Sequence, residues 1–145
     1  MKKLFLLLLF IPLVFSCSSS DEDESISSKK FLEKYKGVSW GDLGEGYIFY
    51  NSPKSVKFRF GGKCRTYIFG QDQEDMTYLT ETLYIVEESE NSLKLRVQSY
   101  NFGVLEDTSE QIFNVSDDGS KLIEIYDVGN NYSRSYSRNP NNICN

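Results

Sequence analysis

Apolar and polar positions alternate with a period of two through most of this chain. Val56, Phe58 and Phe60 interleave with Lys57 and Arg59, and Leu93, Leu95 and Val97 interleave with Lys94, Arg96 and Gln98. That period describes a strand with one face toward a core and one toward water. Eight such segments are predicted: 46–50, 56–60, 63–69, 77–87, 93–98, 111–115, 122–128 and 132–138. Turn chemistry separates them, at Ser52-Pro53-Lys54, Gly61-Gly62, Asp118-Gly119 and Gly129-Asn130. The stretches 70–76 and 103–108 read as loops, the first of them acidic. One helix is predicted over 28–36, with Phe31, Leu32 and Tyr35 on one face, Ser27 or Ser28 as its cap and Gly37 as its end. No strand–helix–strand alternation occurs, so a parallel sheet is not expected. The fold class is all-β: an up-and-down antiparallel barrel of about eight strands, its short N-terminal helix closing one end. A two-sheet sandwich is the alternative.

The amino terminus follows a different pattern. Lys2 and Lys3 precede an unbroken apolar run from Leu4 to Phe15, too short to span a bilayer and suited to a signal segment. Val14-Phe15-Ser16-Cys17 resembles a bacterial lipobox, in which the Cys receives lipid, palmitate-type acyl chains included, and becomes the first residue. An ordinary secretory cleavage nearby is the other reading, although no A-x-A-like site is present. The expected organisation is a signal peptide over 1–16, a lipidated Cys17 with an acidic tether over 17–27, and one domain over 28–145. The tether holds Asp21-Glu22-Asp23-Glu24 among serines, a composition that stays solvated. An acidic cluster just after the lipidated Cys resembles the surface-export signal of one group of Gram-negative bacteria. The expected location is therefore the outer membrane, on the cell surface, with the periplasmic face as the alternative.

Composition narrows the chemistry. The 145 residues suit one globular domain, and none is histidine, which removes histidine-based nucleophilic catalysis and the common zinc sites. A net charge of −5 repels a nucleic-acid backbone, so no nucleic-acid partner is expected. The acidic clusters at 72–75, 87–90, 106–107 and 117–118 lack the spacing of a calcium loop. No P-loop, dinucleotide fingerprint or G-x-S-x-G occurs. No cofactor, metal or catalytic residue is expected, and the chain is not expected to be an enzyme.

The segment Phe31-Leu32-Glu33-Lys34-Tyr35-Lys36-Gly37-Val38-Ser39-Trp40 resembles the entry motif of the lipocalins, with one residue more between its Gly and Trp. The meander that follows is similar to that of small lipocalin-like lipoproteins of bacteria. The resemblance implies that an Arg from a late strand, Arg138 or Arg134, packs over Trp40 and closes the barrel end; Trp40 as an ordinary core aromatic is the other reading. With Cys17 taken by lipid, Cys64 and Cys144 are left in an oxidising compartment, where a pair usually bonds, as lipocalin disulfides often do. Two free thiols are the alternative.

The last strand is unusual because neither face is apolar. Tyr132, Arg134, Tyr136 and Arg138 share one side and Ser133, Ser135 and Ser137 the other. Arg134-Ser135-Tyr136 is similar to the Arg-x-Tyr pair with which fatty-acid-binding proteins hold a ligand carboxylate. If this side faces inward, Arg134 and Tyr136 would hold the head group of an acidic amphiphile, its tail against Phe58, Phe60, Leu95 and Val97. An interior Arg134 otherwise needs an acid from a neighbouring strand; Glu124 and Tyr126 share a face on the preceding one. If the side faces outward, it is a solvated ladder. The expected function is a membrane-anchored, monomeric binding module for a small amphiphilic or hydrophobic ligand. The alternative is an accessory or inhibitor protein with a filled barrel and an outer-membrane protein partner. A cavity above about 300 Å³ would favour the first.

Overall fold

The computed structural model describes residues 28–76, 79–126, 129 and 132–145. The expected signal peptide over 1–16, Cys17 and the expected acidic tether over 17–27 lie outside these residues. A four-residue helix α1, Phe31–Lys34, precedes ten antiparallel strands. These are β1 (Ser39–Gly41), β2 (Glu45–Asn51), β3 (Lys54–Phe60), β4 (Lys63–Ile68), β5 (Asp72–Met76), β6 (Leu79–Glu88), β7 (Ser92–Asn101), β8 (Val104–Val115), β9 (Lys121–Tyr126) and β10 (Tyr132–Asn139).

Each strand pairs with its sequence neighbour, apart from β4 and β5, and β1 also pairs with β10 through Ser39↔Asn139 and Trp40↔Arg138. The result is one continuous sheet rolled into a nearly closed up-and-down barrel, not two sheets. Its open seam lies between β4 and β5, where Gly70 N–H still reaches the Leu83 carbonyl at 2.8 Å.

Ten strands replace the expected eight. Both additions have little apolar signal: β1 is three residues long, and β5 is the acidic stretch read as a loop. An edge strand can be held by its ladder alone, and β5 pairs with β6 from Asp72↔Thr82 to Met76↔Leu79. Strand β8 likewise begins at Val104, not 111, because the polar stretch read as a loop continues its ladder with β7. The helix is shorter than 28–36, and its N-cap is Lys30, without a side-chain cap, rather than a serine.

Alternation of hairpins places α1 and the turn at 89–91 at one end of the barrel. Phe31 N–H donates to Ser89 O at 2.8 Å, Leu32 N–H to Glu88 Oε1 at 3.0 Å, and Tyr35 Oη to Asn91 Oδ1 at 2.7 Å. Phe31 and Leu32 are fully buried and plug this end over Trp40, Phe49, Leu93, Leu95, Phe113 and Leu122. The turns at 42–44, 61–62 and 102–103 fall at the opposite end, the mouth.

After β10 the chain crosses the outer wall as a strap. Ile143 is buried, its carbonyl accepts from Arg59 Nη1, and Cys144 is disulfide-bonded to Cys64, with the Cα atoms 5.7 Å apart. Gly46 makes this crossing fit. A Cβ there would stand 2.1 Å from Trp40 O and 2.7 Å from Ile143 Cδ1.

Candidate binding cavity

Above the closed-end core the barrel holds a cavity of about 680 Å³. Its position follows from inward parity on each strand. Tyr47, Phe58 and Phe60 form a stacked aromatic wall, with ring centroids 4.9 Å and 6.0 Å apart. Leu83, Val97 and Phe113 supply the facing apolar wall. Lys63, Arg65 and Glu81 place charge around it. A second chamber of about 400 Å³ shares Tyr47, Phe58, Phe60, Gln111 and Tyr126 and reaches Glu45, Glu124 and Arg134.

The floor of this second chamber is a buried carboxylate. Glu124 is 5% exposed. Its Oε1 accepts from Tyr47 Oη at 2.8 Å and from Gln111 Nε2, and its Oε2 accepts from Tyr136 Oη at 2.8 Å. A buried acid needs such donors to offset its lost hydration. Burial, with Glu124 beside it, pushes the Tyr47 phenol far above its ordinary range. Burial and the hydrogen bond to Glu124 do the same to Tyr136. Both tyrosines therefore remain protonated donors at any physiological pH.

Of the Tyr/Arg side of β10 only Tyr136 is buried; Tyr132, expected in the ligand site, is 57% exposed and lines neither chamber, and Arg134 and Arg138 are exposed as well. Tyr136 is buried against the Tyr47 ring at 5.2 Å, while Ser133, Ser135 and Ser137 are exposed. Arg134, across from Glu124 in the ladder, finds its acid elsewhere: Nη1 lies 2.6 Å from Glu45 Oε1 of β2. Strand β1 is too short to screen these two side chains from each other. A cleft of about 470 Å³ opens there between 41–45 and β10. The Arg134 guanidinium also lies over the Tyr126 ring at 5.4 Å, and Tyr126 stacks on Tyr132 at 6.0 Å. Hydrogen bonding to Tyr136 and Tyr126, then the charge of Glu45, raises the Arg134 pKa.

The expected site residues are thus partly gathered. Phe58, Phe60 and Val97 line the main cavity, and Arg134 the second chamber, with Tyr136 at its floor. Leu95 is fully buried in the closed-end core instead. Trp40 meets the Tyr35 ring edge-on at 5.9 Å and is fully buried. Arg138 stands across from it in the ladder with its own side chain exposed. Sequence reasoning missed Tyr47, Glu45, Gln111 and the Lys63/Arg65/Glu81 set. Strand parity could have found Tyr47, which sits two residues from Phe49 on one face. Nothing local marks Glu45, whose partner is 89 residues away. Among the described residues, no group of three Cys, Asp or Glu could hold a metal ion. No family model, curated protein or solved structure matches this chain.

Proposed function

We propose that this chain is a lipocalin-like, non-enzymatic binding module that holds one small amphiphile, anchored through Cys17 at the outer membrane and displayed on the cell surface. The observation that carries the reading is the cavity of about 680 Å³. It exceeds the lower size of small-molecule sites, and most of its wall is aromatic or aliphatic. A filled barrel, expected of a purely structural accessory protein, would lack it.

The arrangement also refines the ligand. Arg134 already has Glu45 as its counter-ion, and Glu124 already has three donors. A carboxylate head group at Arg134 would have to displace Glu45. The main cavity instead carries Lys63, Arg65 and Glu81 in its lining. The favoured ligand has an apolar body lying between Phe58 and Val97 and a neutral or weakly acidic head toward Lys63 and Arg65. The Cys17 anchor rests on the Lys2–Cys17 sequence pattern.

The test is native mass spectrometry of protein purified from its own cells. A bound small amphiphile is expected on the wild-type chain and at reduced occupancy on a folded Val97→Trp variant, whose indole projects into the cavity from its wall. A wild-type chain that carries nothing and binds neither fatty acids nor fatty alcohols in calorimetry overturns the reading.

A further inference from the structure

The mouth is uneven. Among the described residues, β8 pairs with β9 only from Gln111 to Val115, while with β7 it continues out to Asn101↔Val104. Strand β6 follows this extension to Leu79↔Asn101. A finger built on β6, β7 and β8, with the end of β5 beside it, therefore extends past the last described β8–β9 pair. Residues 104–110 alone account for roughly 20 Å of strand.

This finger carries apolar side chains in water. Leu79, Phe102, Val104 and Leu105 are all exposed, and Leu43 and Phe60 are exposed on hairpins across the mouth. Among the described residues, Tyr84 and Val86, lower on β6, are the exposed large apolar side chains that lie away from the mouth. Single exposed apolar residues are ordinary; their collection at one end of a molecule is not. Phe102 is the clearest case. It is 76% exposed at the tip and adopts φ 49°, a left-handed conformation that suits Gly or Asn and not a bulky ring.

The register ties this surface to the cavity. Leu79, Asn101 and Val104 form one row, and by alternation they face the same side as Leu83 and Val97 in the cavity wall. Phe60 belongs to both the exposed rim and the cavity lining. The row between, Glu81, Ser99 and Asp107, is polar, so the apolar connection from rim to cavity runs through Phe60.

We infer that the finger tip inserts into the surface of a zwitterionic lipid bilayer, so that the mouth opens onto the membrane. Three observations select this partner. The apolar residues stand on separate protruding hairpins, which suits a deformable bilayer better than a flat protein face. The rim is the doorway of an amphiphile-sized cavity, and a bilayer is where amphiphiles reside. Glu106 and Asp107 beside the tip oppose an anionic surface. Chain length is compatible: α1 begins at the closed end, and residues 17–30 reach about 45 Å when extended, more than the length of a ten-residue strand. The lipid surface rests on the proposed location of the chain; the finger's insertion is an additional claim.

The test uses the mature chain, lipidated at Cys17 and with its tether, in phosphatidylcholine vesicles. Trp40 is the one tryptophan and is buried, so Phe102→Trp adds a reporter at the tip. Leu105→Trp is a second reporter, and Tyr84→Trp on the outer wall is the control. Brominated lipid is expected to quench positions 102 and 105 strongly and position 84 weakly, while aqueous iodide does the reverse. Replacing part of the lipid with an anionic one should reduce the quenching. If the vesicles float with the protein but positions 102 and 105 remain open to iodide, the finger proposal fails and the anchor survives. If the protein does not float at all, both fail. If both reporters are buried without vesicles and sedimentation shows a dimer, a second copy owns the surface and the proposal is overturned. Ligand occupancy by native mass spectrometry is read on the same variants, so the cavity reading stands or falls separately.

Discussion

Tyr136→Phe removes one hydroxyl and leaves the ring in its buried place beside Tyr47. The hydroxyl is the one donor to Glu124 Oε2 among the described residues, at 2.8 Å, and it also lies 3.1 Å from Glu45 Oε1. Tyr47→Phe is the matched comparison, because Glu124 Oε1 keeps Gln111 when Tyr47 is lost. A hydrogen bond to a charged group contributes about 1.5–3 kcal/mol, and a buried acceptor left without a donor adds its own desolvation cost. Tyr136→Phe should therefore destabilise the domain by about 2–3 kcal/mol and Tyr47→Phe by about 1 kcal/mol. At roughly 3–6 °C per kcal/mol for a domain of this size, the first lowers Tm by about 6–18 °C. Urea unfolding followed by circular dichroism measures both, with the exposed Ser135→Ala as a control expected to change nothing. Equal costs for the two variants, or a Tyr136→Phe cost below about 0.5 kcal/mol, would refute the view that Glu124 is held as an interior acid by these donors.

Reducing the Cys64–Cys144 bond, or replacing both with Ser, frees a loop of sequence separation 80 and should cost about 4–5 kcal/mol in the chain-entropy picture, read from chemical denaturation. Gly46→Ala forces a methyl against Trp40 O and Ile143 Cδ1 and should cost at least about 2 kcal/mol; a neutral result in the same assay would contradict the tail's placement. The Asp118 carboxyl is held down to about 2 by hydrogen bonds from Ser116 and Ser120. Its folded pKa lies below the unfolded value, so its contribution is full above pH 4 and fades as pH falls toward 2. Asp118→Asn should flatten the loss of stability over that interval, as followed by thermal melts across pH.

Much of the barrel is written in the period-two segments. Val56, Phe58 and Phe60 mark β3, and Leu93, Leu95 and Val97 mark β7, because one face of each meets a core. The strands that were not legible have no such face. Strand β5 is an acidic edge held by its backbone ladder, and the outer half of β8 stands in solvent on the finger. A count of apolar alternations therefore returns eight strands where ten exist. The same limit applies to the site. The Tyr/Arg and Ser sides of β10 are both polar, so local pattern cannot say which one turns inward. Leu95 and Val97 look alike in sequence, yet two residues of depth separate the closed-end core from the cavity. Glu45 answers Arg134 only because β1 is too short to intervene, a fact of topology and not of spacing.

The central claim is an occupied cavity, and methyl NMR observes it directly. The chain is labelled at its Leu, Val and Ile methyls and titrated with dodecanol and with dodecanoate. The account predicts saturable shifts at Val56, Leu83 and Val97, which line the cavity, and little change at Leu32, Leu93 and Leu122 in the closed-end core. No saturable shift with either amphiphile, or shifts confined to Leu43, Leu79 and Leu105 on the rim, would contradict it.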